Sequence, residues 1–376
     1  MITIKFDTKI HIGDDSLTIL NDFKDENIII ISDNFISSSP FMDTLTSQID
    51  RSCEVRIFDE VQPDPPIENL VSGLEMVSEF SPTIFIAFGG GSAIDAGKGI
   101  YFFAKRMGML SGNIPFIVVP TTSGTGSEVT NFSIITDQEL GVKYPLVTDE
   151  IQPTDAILVV DFVESLPPNQ TADTGVDVLT HAIEAYVSTA STEISDALAE
   201  KAIKYVFEYL PRAYRDGSDR EAREKMHIAS TMAGMAFNQA SLGLNHGIAH
   251  AAGARLHIPH GRLNGILLTE VIRFNSGLVG NQLHTEVADR YRQIAGFLDL
   301  NAVSPSIGTR SLINEITKLL KSTERPLSLS GFGIDKAKLE NYINEIAKDA
   351  LLDACTDTNP IEPSEEDVIA ILKNVF

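Results

Sequence analysis

Histidine is scarce in this chain, eight residues in all, and four of them fall within fifteen positions: His246, His250, His257 and His260, in NHGIAHAAGARLHIPHG. Upstream, Asp177 and His181 stand four apart in TADTGVDVLTHAIEAYV, and His246 and His250 repeat that interval. On a helix, residues at i and i+4 share one face, so each pair can converge on one ion. A lone histidine is more often a satisfied core residue than a ligand; the joint pattern D-x-x-x-H, H-x-x-x-H and P-H-G is far more specific. One carboxylate and three imidazoles suit Fe²⁺ or Zn²⁺ and do not suit Mg²⁺ or Ca²⁺.

A second kind of chemistry is written in FGGGSAIDAGK, Phe88–Lys98. Glycines let a backbone approach a pyrophosphate, and free N–H groups at a helix start attract anions. Ser92 is expected to cap that helix. The segment does not spell G-x-G-x-x-G, since Ile94 takes the last position, and no acidic residue follows at the usual distance. A hydroxyl-rich segment, PTTSGTGSEVT at Pro120–Thr130, comes after the next strand. Either segment alone could be a turn or a polar loop. Two of them at strand ends point to a shared nucleotide crevice at the carboxyl edge of a sheet. Asp33 ends an earlier strand, where a carboxylate can bond ribose hydroxyls and repel a 2′-phosphate, favouring NAD, or simply cap a helix.

The elements that would position these residues fall into two textures. Apolar runs at Asn27–Ser32, Cys53–Phe58, Thr83–Phe88, Ile114–Pro120 and Ala156–Val160 read as strands, with helical spacing at Ile67–Phe80 and from Ser92 to about Lys105. That alternation predicts a parallel, doubly wound sheet. After Leu166-Pro167-Pro168, amphipathic runs at about 171–188, 192–210, 219–240, 243–255 and 286–298 predict a helical domain. The expectation is an α/β N-terminal domain on a Rossmann-like parallel sheet, residues 1–165, binding the dinucleotide. An all-α C-terminal domain, residues 166–376, would hold metal and substrate.

Composition narrows the function classes. The 376 residues are 43% hydrophobic, with no run approaching the ~20 apolar residues of a membrane helix. The opening MITIKFDTKIHIG alternates like a strand rather than a secretory leader. Two cysteines, Cys53 and Cys355, are too few for a disulfide framework and fit a reducing cytoplasm. A net charge of −23 repels nucleic acid and anionic lipid, and mildly favours a neutral substrate.

Over almost its whole length the chain resembles the iron-containing (group III) alcohol dehydrogenases. GGGSAIDAGK, PTTSGTGSEVT, GVDVLTHAIEAYVS and LGLNHGIAH…HIPHG carry the likeness. GVKYPL, DALAEKAIKYVFEYLP, ASTMAGMAF and VIRFN draw it toward the branch acting on 1-propanol in propanediol-utilisation microcompartments. The resemblance implies the dehydroquinate synthase-like fold, Fe²⁺ (or Zn²⁺) and NAD as cofactors, and a small primary alcohol or its aldehyde as substrate. It also implies a homodimer, in the cytoplasm or inside a bacterial microcompartment. Asp177, His181, His246 and His260 would hold the metal. His250 would lie near the nicotinamide and move a proton, so that His250 and His260 are the catalytic histidines. Gly90, Gly91 and Ser92 would cradle the pyrophosphate, and Thr121, Thr122 and Thr130 would line the cofactor cleft. Asp33 would meet the adenosine ribose and Lys143 the nicotinamide ribose, with Asp95 near the nicotinamide end.

Some positions depart from the family pattern. Asp64 stands in Pro63-Asp64-Pro65 where Asn is common, and Ala251 follows the second histidine in place of Pro or Gln. Arg262, where small residues are usual, would shape the cleft mouth or accept a more polar substrate. His257 is no ligand position and reads as a pocket-wall or packing residue. Two other metal- and NAD-using readings compete. A dehydroquinate-synthase-like lyase would need a basic pocket, which the acidic chain argues against. A glycerol-dehydrogenase-like zinc enzyme would use three protein ligands rather than four. A non-catalytic scaffold is the third rival, set against two intact phosphate loops.

Overall fold

The computed structural model describes residues 3–138, 142–280 and 282–376, with the side chains at 142 and 143 outside that description. The chain divides into two compact units, Met1–Ser165 and Leu166–Phe376.

Among the described residues the first unit holds eight strands: β1 (Lys9–Ile12), β2 (Asn27–Ile31), β3 (Glu54–Phe58), β4 (Ile84–Gly89), β5 (Phe116–Pro120), β6 (Phe132–Asp137), β7 (Val142–Val147) and β8 (Asp155–Leu158). Its helices are α1 (Asn34–Ser37), α2 (Pro40–Thr46), α3 (Ile67–Phe80), α4 (Gly91–Arg106) and α5 (Asp161–Glu164). Six strands form one sheet in the order β1-β8-β5-β4-β2-β3, every pairing parallel. β4 and β5 are buried throughout, as strands covered on both faces must be. Cores lie on both sides, one including Ile29, Ile31, Phe85 and Phe116, the other Ile28, Ile30, Phe88 and Val119. Alternate residues of β2 therefore feed opposite faces. β6 and β7 pair as an antiparallel hairpin that the alternation of the sequence does not announce.

After β3 the chain returns to the far side of β2 to lay down β4, then builds outward through β5 and β8. The order reverses between β2 and β4. At such a reversal the carboxyl ends of neighbouring strands splay and leave a crevice for a ligand. Asp33 follows β2, and Gly89–Gly91 follow β4, so both stand at this point.

The second unit is helical: α6 (Pro168–Val187), α7 (Glu193–Arg215), α8 (Arg220–Ala240), α9 (Leu244–Leu256), α10 (His260–Ser276), α11 (Thr285–Phe297), α12 (Pro305–Ser322), α13 (Leu329–Phe332), α14 (Lys336–Leu352) and α15 (Glu365–Asn374). From Gly175 to Val187 every residue of α6 is buried. It is a central helix wrapped by others, and its polar residues need partners inside the fold. No helix among the described residues is long and apolar enough to cross a membrane.

Candidate metal centre and nucleotide loops

Asp177, His181 and Glu184 stand at i, i+4 and i+7 of α6 and so share one face. α9 supplies His246 and His250, and α10 opens at His260, with Pro259 as its cap residue. Ligand atoms of Asp177, His181 and His246 lie within 4.8 Å of one another, all three residues buried. The Nε2 atoms of His246 and His260 come to 3.7 Å and 3.6 Å from Asp177 Oδ1. The His181 and His246 rings stack at 4.6 Å. Positions far apart in sequence thus converge on one point.

Asn264, one turn after His260, marks that point. Its Nδ2 donates to Asp177 Oδ1 at 2.7 Å and lies 3.1 Å and 3.2 Å from the Nε2 atoms of His246 and His260. Its Oδ1 accepts from Asn245 Nδ2 at 2.9 Å. Backbone packing makes the convergence possible. A Cβ on Gly261 would sit 2.1 Å from the Asp173 carbonyl, so only glycine lets the start of α10 lie on α6. Arg262 then donates two bonds to the Asp173 carboxylate, at 3.0 Å and 2.8 Å, and Arg325 a third at 2.7 Å. The Arg262 guanidinium, 5.6 Å from the Phe332 ring, is committed to this clamp while lining, with Arg325 and Phe332, an open pocket of the helical unit.

The electrostatics follow from the crowding. Burial would raise the Asp177 carboxyl, but the imidazoles of His181, His260 and His246 hold it far below the usual carboxylate range. Burial pulls His246 down, yet the carboxylates of Glu184 and Asp177 outweigh it and push it up to about 9. His260, whose side chain is 42% exposed, is shifted downward by desolvation and by the other imidazoles, against Asp177. A carboxylate kept ionised beside imidazoles is the donor set a divalent transition metal requires.

His250 lies just outside this cluster, its ring stacked on His260 at 5.3 Å. Its Nδ1 bonds Asp353 Oδ2 at 2.8 Å. That bond holds Asp353 down at about 2 against the effect of burial. His257 is exposed and sits at φ 57°, closing α9 in the left-handed region. Its exposure rules out a packing role in the core.

In the first unit, Asp33 Oδ1 accepts from the Ile36 amide at 2.9 Å, capping α1. A Cβ on Gly89 would lie 3.3 Å from Asp33 Oδ2, so that oxygen borders the glycine loop. The cap of α4 is Gly90, with no side-chain bond, rather than Ser92. Ser92 lies inside the first turn and its Oγ accepts from the Asp64 amide at 3.2 Å. Asp64 itself is left-handed, φ 52°, a conformation Asp and Asn both tolerate, which accounts for either residue at that position. Cβ atoms added to Gly90 and Gly91 would meet Thr122 at 3.3 Å and Thr125 at 2.7 Å. The two loops therefore face each other across bare backbone at an uncapped helix start, a cradle fitted to a pyrophosphate.

Thr121 is buried, its amide bonded to the Gly89 carbonyl. Lys98 is wholly buried and donates to Ser127 Oγ, Thr130 Oγ1 and the Phe132 carbonyl at 2.9, 3.1 and 2.8 Å. Thr130 thus has its hydroxyl engaged by Lys98. Burial pulls Lys98 down to about 8, with Asp95 and Glu128 opposing. Asp95 accepts from Ser127 Oγ at 3.0 Å and the Ile134 amide at 3.2 Å, bracing the second loop. The Lys143 side chain lies outside the described residues.

Sequence reasoning missed Glu184, Asn264, Lys98 and Asp353. Only Glu184 left a signal, as the third member of the face begun by Asp177 and His181.

Comparison with known proteins agrees with this architecture. Residues 7–160 match the iron-containing alcohol dehydrogenase family, and residues 171–376 match its C-terminal part. The chain is 41% identical over 380 residues to the 1-propanol dehydrogenase PduQ of Salmonella typhimurium, each chain covered in full. A crystal structure of 1,3-propanediol oxidoreductase superposes with a TM-score of 0.89 at 31% identity, again over both whole chains. Sulfoacetaldehyde reductase of Bifidobacterium kashiwanohense, in complex with NAD⁺, gives 0.86 at 26% identity, over 100% of this chain and 98% of that one. The protein belongs to the iron-containing alcohol dehydrogenase family and is an oxidoreductase acting on alcohols.

Proposed function

We propose that this enzyme interconverts a small primary alcohol, 1-propanol being the leading candidate, and its aldehyde, with Fe²⁺ as resident metal and NAD(H) as hydride carrier. The convergence of Asp177, His181, His246 and His260 on one point of the helical unit carries this reading. Those four residues would hold the metal. When bound, it supplies Lewis acidity, lowering the pKa of an alcohol hydroxyl or polarising an aldehyde carbonyl. The dinucleotide supplies hydride chemistry, and the protein contributes orientation and charge stabilisation.

The chain's own residues divide the remaining work. Asp177 stays ionised and brings the negative charge that a divalent ion needs. His250 takes up the hydroxyl proton. With Nδ1 engaged by Asp353, Nε2 is the nitrogen left for exchange. Gly90, Gly91 and Ser92 bind the pyrophosphate, and Thr121, Thr122 and Thr130 form the wall of the nucleotide site. Asp33 accepts from ribose hydroxyls and repels a 2′-phosphate; Lys143 serves the nicotinamide ribose. Asp95 acts by holding the second loop. Residues 1–165 form the dinucleotide-binding domain and residues 166–376 the metal and substrate domain. We further assign the enzyme to the cytoplasm as a homodimer, with housing in a microcompartment supported by the PduQ likeness.

The test is an anaerobic screen of C2–C4 alcohols, diols and aldehydes with NAD and NADP, read as NADH absorbance at about 340 nm, with metal analysis of the same sample. NAD-linked turnover of 1-propanol with about one iron per chain is expected. His260→Ala should lose both bound iron and turnover. Unchanged metal content in that variant would overturn the ligand assignment.

A further inference from the structure

We infer that Glu184 is a positioning residue that fixes the orientation and tautomer of the metal ligand His246 while seating the helix that carries it; this rests on the metal-site reading above. Glu184 lies one turn after His181, with its side chain 5% exposed, and directs both carboxylate oxygens at α9. Oε2 contacts Nδ1 of His246, which is 1% exposed. Oε1 accepts from the Asn245 amide at 2.7 Å and lies 3.4 Å from the His246 amide. α9 has no cap of its own, since its cap residue Gly243 offers no side chain. A Cβ there would approach Glu184 Oε1 to 2.9 Å and Asn359 Oδ1 to 3.0 Å, so glycine clears the space the carboxylate occupies.

The chemistry follows from the inventory of atoms. An ionised carboxylate only accepts hydrogen bonds, so Nδ1 of His246 must carry a proton. With Nδ1 so held, Nε2 is the nitrogen whose lone pair a bound metal would take, its proton leaving as the ion enters; it lies 3.7 Å from Asp177 Oδ1. Asn264 Nδ2 is 3.1 Å away from the same nitrogen, which agrees with its acting as an acceptor. A carboxylate behind a ligating imidazole fixes its tautomer and raises its basicity, and losing one typically weakens metal binding 10–100-fold. One carboxylate thus does two jobs. It caps a helix that lacks a side-chain cap, and it aims the imidazole borne by that helix's first turn.

The test uses the full chain, stripped of metal and reloaded with Co²⁺ or Zn²⁺, with affinity measured by chelator competition. Glu184→Gln keeps the shape and an acceptor for one partner only. It should bind Co²⁺ about 10–100-fold more weakly and shift the visible Co²⁺ absorption bands. A purely structural role for Glu184 would lower the unfolding midpoint but leave Co²⁺ affinity and spectrum as in wild type, and that result overturns the inference. His246→Ala separates the two readings. If it binds Co²⁺ like wild type, the metal site itself is wrong; if it loses Co²⁺ while Glu184→Gln does not, only the role of Glu184 falls. A measurement on wild type guards against a misfolded variant. In the ¹⁵N-histidine, Zn²⁺-loaded protein, the resonance lost in His246→Ala should show a protonated Nδ1. A bare Nδ1 there overturns the assignment.

Discussion

At the scale of single residues, Asp33 has two tasks that can be separated by substitution. Its Oδ1 caps α1, and its Oδ2 borders the glycine loop. Asp33→Ser retains a capping oxygen but removes the charge, so stability should hold while the ratio of kcat/KM for NAD over NADP falls roughly tenfold, the value of a charged hydrogen bond of about 1.5 kcal/mol. An unchanged ratio would assign Asp33 to the cap alone. A second prediction concerns His227, buried in α8, where burial pulls the imidazole down to about 4. The unfolded chain takes up a proton on this group near pH 6.5, whereas the folded chain holds out until about 4. Between those values the unfolded state binds more protons, so stability rises with pH across the window and is lost as pH falls. Denaturant melts should show His227→Gln losing less stability than wild type from pH 6.5 to 4, by up to about 3 kcal/mol at 1.4 kcal/mol per pH unit. Parallel curves would contradict it. Residues of this kind were only partly legible in the sequence. Asp177, His181, His246, His250 and His260 showed themselves through local spacing. Asn264 and Asp353 meet the histidines only because separate helices pack together, and no spacing in one segment encodes that. Ser92 was misread as a cap because a serine at a helix start usually is one; here the helix begins two residues earlier, with Gly90 as its cap.

At the scale of elements, periodicity carried most of the reading, and tertiary burial set its reach. The apolar runs at β2, β4 and β5 were visible because parallel strands are apolar on both faces. The β6–β7 hairpin was hidden, since Pro145 inside Val142–Val147 removes a ladder donor and argues against a strand. α10 was hidden as well, because its first turn, His260 to Leu263, reads as a motif rather than as part of an amphipathic helix. That first turn is where an element-scale prediction belongs. α6 and α10 touch at Gly261, and the Asp173–Arg262 pair ties them four residues before Asp177 and two after His260. Gly261→Ala must push the backbones apart or distort them, at roughly 1–3 kcal/mol of stability. It should also weaken Co²⁺ binding, since the two ligand-bearing helices move as units. Arg262→Ala and Asp173→Ala, combined in a double-mutant cycle, should show coupling of about 0.5–3 kcal/mol in stability. Additive losses would mean that Arg325, which also reaches Asp173, is the partner that matters.

At the scale of the whole molecule, the dominant fact is charge. Acidic residues outnumber basic ones 52 to 29 in a chain of 376, leaving a formal −23. Compaction brings like charges together, and the resulting self-repulsion opposes the folded state while keeping the protein dispersed. The ion pairs that do form are mostly at the surface, such as Lys318–Glu315 and Lys336–Glu340, where each contributes about 0–1 kcal/mol. They are too weak and too few to cancel a net imbalance of this size. Mobile cations can do so. Raising NaCl from about 10 mM to about 150 mM shortens the screening length from roughly 30 Å to roughly 8 Å, which removes most of the long-range repulsion. The unfolding midpoint should therefore rise with salt by roughly 2 °C or more, equivalent to about 1 kcal/mol. An equal osmolality of a neutral solute is the control. The same argument predicts that kcat/KM for a neutral alcohol stays nearly flat across that range, because a neutral molecule is not steered by the field. A midpoint that falls with salt would mean that attractive pairs outweigh the net charge, and a steep salt dependence of kcat/KM would point to a charged substrate in place of a neutral one.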